Sequence, residues 1–188
     1  MTQFSSLRTT SRRLLRDIRG MTITLEFMLF LPVLVFTMAG GYYIFDAYRE
    51  RMLVQKAAFT LADLMSRETE ALGDTYFDNM FALQGHITRR SVPIAFRASM
   101  LRWDEEDEVF SVTDTEVRGV GLEELTNEDV IGYEENLPPL SNGESLLVVT
   151  IIHGYSMVNI LDDRLIQMTD TVFTRPRFAP TVTFDEPV

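Results

Sequence analysis

Hydrophobic positions along the chain change their spacing twice, and each change marks a different kind of element. Phe27 to Phe45 is a run of 19 residues without a charge, and extending it back to Met21 makes 25 interrupted only by Glu26. At about 1.5 Å per helical residue this reaches the roughly 30 Å of a hydrocarbon core, so the run predicts one transmembrane helix. Pro32 lies inside it, which membrane helices tolerate better than soluble ones. Past Asp46 the apolar residues thin to helical steps: Val54, Ala57, Leu61 and Leu64, with Ala58 and Met65 beside them and Arg51, Lys56, Asp63 and Arg67 between. With no Gly or Pro from Tyr42 to Ala71, the pattern predicts one continuous helix ending near Leu72-Gly73. Residues 74–98 read as mainly helical, broken at Gly85 and Pro93.

From Ala95 the period shortens to that of a strand. Residues 97–103 and 108–113 flank an acidic turn, Asp104-Glu105-Glu106-Asp107, and so predict a hairpin. Residues 114–144 are polar, with Pro138-Pro139 and the turn pair Asn142-Gly143. Ser145 to His153 is the strongest strand, Leu165 to Phe173 the last one, and the proline-bearing tail from Arg175 reads as extended. The expected fold class is therefore α+β: a long N-terminal transmembrane and amphipathic helix with a small antiparallel-sheet domain. The expected division is a basic leader over 1–20, the helix with its amphipathic extension over 21–72, and an α+β domain over 74–188. At least three strands are expected to rest on the outer half of the helix.

Charge sharpens the membrane reading. The 188 residues carry a net charge of -11, unevenly placed. Residues 1–20 hold five arginines against one aspartate, a net +4, whereas 46–188 hold 26 acids and 12 bases, a net −14. Nucleic acid is excluded as a partner, because its binder would carry positive charge on the folded part. A basic flank beside an apolar span instead holds the N-terminus in the cytoplasm, and Arg12, Arg13, Arg16 and Arg19 are the candidate orientation residues, with Ser11 as cap of a short basic helix ending near Gly20. Residues 1–11 read as loose. Arg49, Arg51 and Lys56 follow the span, fewer than the five bases before it, and Tyr42 and Tyr43 sit where interfacial aromatics belong. A buried core helix and a cleaved secretory signal are the other readings of the run, the latter with only the mediocre site Thr37-Met38-Ala39-Gly40-Gly41.

The sequence carries no familiar catalytic pattern. His86 and His153 are the only histidines, and their spacing with carboxylates makes no metal triad. His153 ends an apolar strand and reads as a satisfied core or edge residue. No Gly-x-Ser-x-Gly turn and no Gly-rich phosphate loop occurs. Asp104 to Glu108 lacks the alternating ligands and central Gly of a calcium loop and reads as a solvated turn, with Trp103 and Phe110 beside it in the core. With no Cys, disulfides and thiolate metal sites are out. The expectation is a protein that is not an enzyme, with no cofactor, no metal and no small-molecule substrate.

Arg19-Gly20, Glu26-Phe27 and Pro32 follow one another as in the amino-terminal signature of TadE/TadG-like pilins, the minor pilins of the tight-adherence (Flp) branch of type IV pili, which the first 50 or so residues resemble. The family pattern is a short basic leader, a Gly, a few small or apolar residues, Glu-Phe, and Pro six residues after the Glu. Residues 57–67 and Arg175-Pro176-Arg177-Phe178 are also similar to this group. The resemblance implies a minor pilin or pseudopilin, single-pass in the bacterial inner membrane, N-terminus cytoplasmic and C-terminal domain periplasmic. Its implied partners are membrane lipid, other pilins, Tad pilus assembly proteins and a prepilin peptidase acting at Gly20, Met21 and Thr22. It further implies that Glu26, Phe27 and Pro32 set subunit register. In the family the Glu is usually fifth after the processed Gly, but here it is sixth, counting Met21 as first. Cleavage after Gly20 despite the shift, cleavage after Met21, and an uncut anchored chain all remain open. On physical grounds alone a carboxylate in hydrocarbon costs about 2.5–3.5 kcal/mol, so Glu26 either serves packing, by meeting the new α-amino group of a staggered neighbour, or reaches the headgroups from the cytoplasmic interface. The alternative from another class is a permanently anchored periplasmic binding or adhesion module outside any filament.

Overall fold

A computed structural model describes residues 4–88, 92–106, 109–131, 137–155 and 165–185, with side chains from residue 23 onward. Helix α1 spans Phe4–Met65, followed by α2 (Asp74–Ile87), β1 (Val92–Asp104), β2 (Val109–Gly119), α3 (Asn127–Ile131), β3 (Ser145–Tyr155) and β4 (Ile166–Thr174). The layout is α+β, a long apolar N-terminal helix and a four-stranded antiparallel sheet, and the chain divides into a unit of residues 1–46 and one of residues 47–188.

The first unit is helix throughout its described part. Helix runs through Gly20, where the sequence suggested an end, and through residues 4–11, which it suggested were loose. The helix continues past Pro32 as well, whose missing N–H leaves the carbonyl of Met28 without its usual partner. Thr37 adds a side-chain bond, its hydroxyl donating to the Val33 carbonyl at 2.8 Å. Large apolar side chains from Ile23 to Phe45 stand exposed. The segment beginning at Ile23 is long and apolar enough to cross a membrane, with none of its apolar window buried. In a soluble core helix most of that surface would be covered.

In the second unit the outer part of α1 buries Val54, Ala57, Ala58, Leu61, Ala62 and Met65, the three- and four-residue steps of one helical face. Three of these are alanines. Facing them are Phe96, Ala98 and Met100 of β1, Leu147, Val149 and Ile151 of β3, and Val172 of β4, alternate residues pointing to one side. Phe77 and Met80 of α2 close this core. α1 stops at Met65, about two turns before the predicted end, because Leu72 is taken into a parallel bridge with Phe184 of the tail. That tail is strapped to the corner between α1 and α2: Arg177 N–H donates to Ser66 O (2.7 Å), Leu72 N–H to Thr183 O and Asp185 N–H to Leu72 O (both 2.9 Å).

Strand order is β2-β1-β3-β4, each pair antiparallel. β3 is buried along its whole length because both sheet faces are covered, as its unbroken apolar run requires. The second face carries its own cluster: Leu101, Leu146 and Val148 under Leu125 and Val130, with Phe110, Val112 and Phe173 at the margin. The acidic hairpin turn places Trp103 against Phe110, ring centroids 4.6 Å apart, both half-buried; residues 107 and 108 lie outside the described set. β2 is nearly twice the predicted length. The pairing shifts between Met100 and Leu101, where Met100 faces Asp114 and Leu101 faces Val112. Thr113 is therefore an extra residue, a β-bulge, and it reverses which side even-numbered residues face. Phe110 and Val112 point into the second cluster, while Arg118 points to α2. Gly119 ends the strand with φ +91°, and a Cβ there would lie 2.1 Å from the Ile94 carbonyl oxygen.

Candidate assembly interface

Every residue singled out for assembly lies on α1. Arg12, Arg13, Arg16, Arg19, Gly20, Met21 and Thr22 are in its helical backbone, and their side chains lie outside the described set. Glu26 is exposed, with Phe27 (65% exposed) beside it, and Pro32 follows two turns on. A Cβ at Gly40 or Gly41 would also meet open space among the described residues. This surface has no partner among the described residues.

Sequence periodicity alone concealed a second feature of α1. Leu31, Met38, Phe45, Met52 and Phe59 recur every seven residues, with Leu34, Gly41, Tyr48 and Gln55 three residues after the first four. This is the heptad seam of helices that wrap around one another. The large members of this set are all exposed, and Met52 and Phe59 lie opposite the face that α1 presents to its own sheet. Tyr48 (68%), Met52 (65%) and Phe59 (56%) are more solvent-accessible than soluble helices usually leave such side chains when clustered. The seven-residue repeat was available in the sequence, but the apolar run hid it, since in that run nearly every position is apolar.

The electrostatic centre of the domain is Arg118. Its guanidinium pairs with Asp74 and Asp78 of α2, both at 2.7 Å, and with Glu116 on its own strand, and sits 5.7 Å from the Phe77 ring centre. Burial pulls its pKa down, but the hydrogen bonds it donates to Asp78, Glu116 and Asp74 outweigh that and hold it above the ordinary arginine value. This ties α2 to β2 and leaves no free cation there. Gln84 makes the matching polar tie at the other end of α2, donating to Ala95 O and Ile152 O. His153 is fully buried, its Nδ1 3.2 Å from the Thr88 hydroxyl, and burial pushes its pKa down to about 4. It is a core residue held neutral rather than a base facing a cleft. Among the described residues no group of three His, Asp or Glu is placed to hold a metal ion.

Compared with protein-family models, curated proteins and solved structures, the chain matches none.

Proposed function

We propose that this chain is a structural subunit of a surface filament, a minor pilin or pseudopilin of the tight-adherence type, anchored in the bacterial inner membrane by α1 with its sheet domain in the periplasm. The observation that carries the reading is the exposed heptad seam, which continues past the apolar run to Phe59 while the opposite face of the helix is consumed by the chain's own sheet. A helix serving only as an anchor needs apolar surface inside the bilayer and none at Met52 or Phe59. The order Gly20, Glu26-Phe27, Pro32 supports the same reading through the resemblance to TadE/TadG-like pilins. Its working surface is then helix against helix, first among lipids and later among subunits, with Glu26 fixing the stagger.

The chain has no Cys, so single cysteines report cleanly. Met52→Cys and Phe59→Cys are expected to cross-link in cells to a second copy or to another pilin on mild oxidation, and Ser111→Cys, exposed on β2, is expected not to. Equal cross-linking at all three positions, or none at the seam, refutes the proposal.

A second reading, a permanently anchored binding or adhesion module, draws support from the extra residue between Gly20 and Glu26 and from helix that continues through Gly20. The N-terminal sequence of the mature protein separates the two: a start at Met21 or Thr22 favours the pilin, an intact Met1 the anchor.

A further inference from the structure

Along the outer edge of β4 the sheet and α1 leave an open groove of about 330 Å³, near the lower end of small-ligand clefts. Tyr48, Arg51 and Val54 line it from the helix, and Ile166, Met168 and Asp170 from the strand. Arg51 and Asp170 feel one another's charge, yet no ion pair closes between them among the described residues. Two opposite charges held apart over half-apolar walls match a ligand that carries both charges in complementary order. A purely anionic or purely cationic ligand would leave one of them facing its own sign.

Chain position narrows the choice of ligand. Arg51 follows Phe45, the last residue of the uncharged run, by six residues, or about 9 Å at helical rise. The headgroup layer extends about 5–7 Å beyond the hydrocarbon on each side, so Tyr48 falls within it and the Arg51 side chain reaches it. The surrounding domain carries a net −14 and repels anionic lipid, whereas a zwitterion brings no net charge to it.

We propose that this groove seats a zwitterionic phospholipid headgroup, with its phosphate on Arg51, its ammonium on Asp170 and its glycerol shoulder against Tyr48, Ile166 and Met168. The proposal rests on the membrane span and not on the filament reading, so it stands or falls separately from pilus assembly. The full-length chain would be reconstituted in vesicles of phosphatidylethanolamine and phosphatidylglycerol in equal parts. After extraction into mild detergent, the retained lipids are counted by native mass spectrometry. Phosphatidylethanolamine is expected to be retained about tenfold over phosphatidylglycerol, the ratio that corresponds to about 1.4 kcal/mol. Arg51→Gln and Asp170→Asn should each abolish that preference, and Arg49→Gln, outside the groove, should preserve it; Trp103 fluorescence checks that each variant is folded. Equal retention of both lipids by the unaltered chain overturns the proposal whatever the variants do. Loss with Arg51→Gln but not with Asp170→Asn overturns it in favour of a plain anion site. Displacement of the retained lipid by soluble phosphoethanolamine at equal concentration overturns the membrane as the source.

Discussion

Replacing Gly119 by alanine should unfasten the β1–β2 pair at the end where it meets the Ile94 carbonyl. Two costs arise at once. The residue sits at φ +91°, and a side chain held in such a conformation costs about 1–3 kcal/mol. The added Cβ would also lie 2.1 Å from Ile94 O and 2.9 Å from Ala95 Cα, both backbone atoms with no rotamer to give way. Relieving that clash means moving a strand, about 1–3 kcal/mol more by analogy with overpacked cores, and it strains the Val120 N–H to Ile94 O bond of 2.9 Å. Gly121 is the internal control: its φ is +93°, but a Cβ there meets nothing within 4 Å. Gly121→Ala should therefore lose only the conformational part. Trp103 is the single tryptophan and packs against Phe110 across the same strand pair, so its fluorescence reports unfolding of the full chain in detergent. With a urea slope near 2 kcal/mol per molar, Gly119→Ala should lower the midpoint by about 1–3 M and Gly121→Ala by about half that. Equal shifts for the two variants would show that the close approach to Ile94 is not what fixes glycine at this corner.

Acid should weaken the domain through His153. Its folded pKa of about 4 lies below the ordinary 6.5, so folding favours the neutral ring; this contribution is complete above pH 6.5, declines from there downward and is lost once pH has fallen through 4. Asp114 and Asp170, raised by burial, act in the opposite direction, so the test is the difference between the native chain and His153→Gln, whose unfolding free energy from urea titration should fall less between pH 7 and pH 4.5, by about 1–3 kcal/mol. Arg118→Gln should release α2 from β2 and leave three carboxylates without their cation. Asp74 and Asp78 are more than half exposed, so the expected loss is about 1–2 kcal/mol, read as a lower urea midpoint that high salt partly restores.

How much of this was legible in the sequence depends on whether a feature is written locally. The apolar run, the amphipathic steps from Val54 to Met65 and the continuous β3 run are local, and fold class followed from them. β2 was read to Thr113 because alternation stops at the bulge. Beyond it the alternate positions are Asp114, Glu116 and Arg118, polar residues of which Arg118 binds Asp74 and Asp78 of α2, so the second half of the strand looks like a loop. α1 was read to Leu72 because nothing in Ser66 to Ala71 breaks a helix; its actual end depends on the tail, more than a hundred residues away, pairing with Leu72. Arg118 could not be singled out, since its worth lies in Asp74 and Asp78, forty residues upstream. The seam on α1 was hidden for another reason: within a run where almost all residues are apolar, composition does not tell a lipid-facing position from one that faces a partner.

The strap formed by the tail also has a mechanical meaning. Ser66 and Leu72, the first residues after α1, are bonded to Arg177, Thr183 and Asp185, the last described stretch of the chain. Both ends of the sheet domain are thus gripped at one corner. Tension arriving along α1 enters the domain by the covalent path into α2 and, in parallel, by the strap into the end of β4. The first route leads on to β1, inside the sheet, and the second reaches β4, the edge strand paired with β3, so a pull along α1 is shared between the middle of the sheet and its edge.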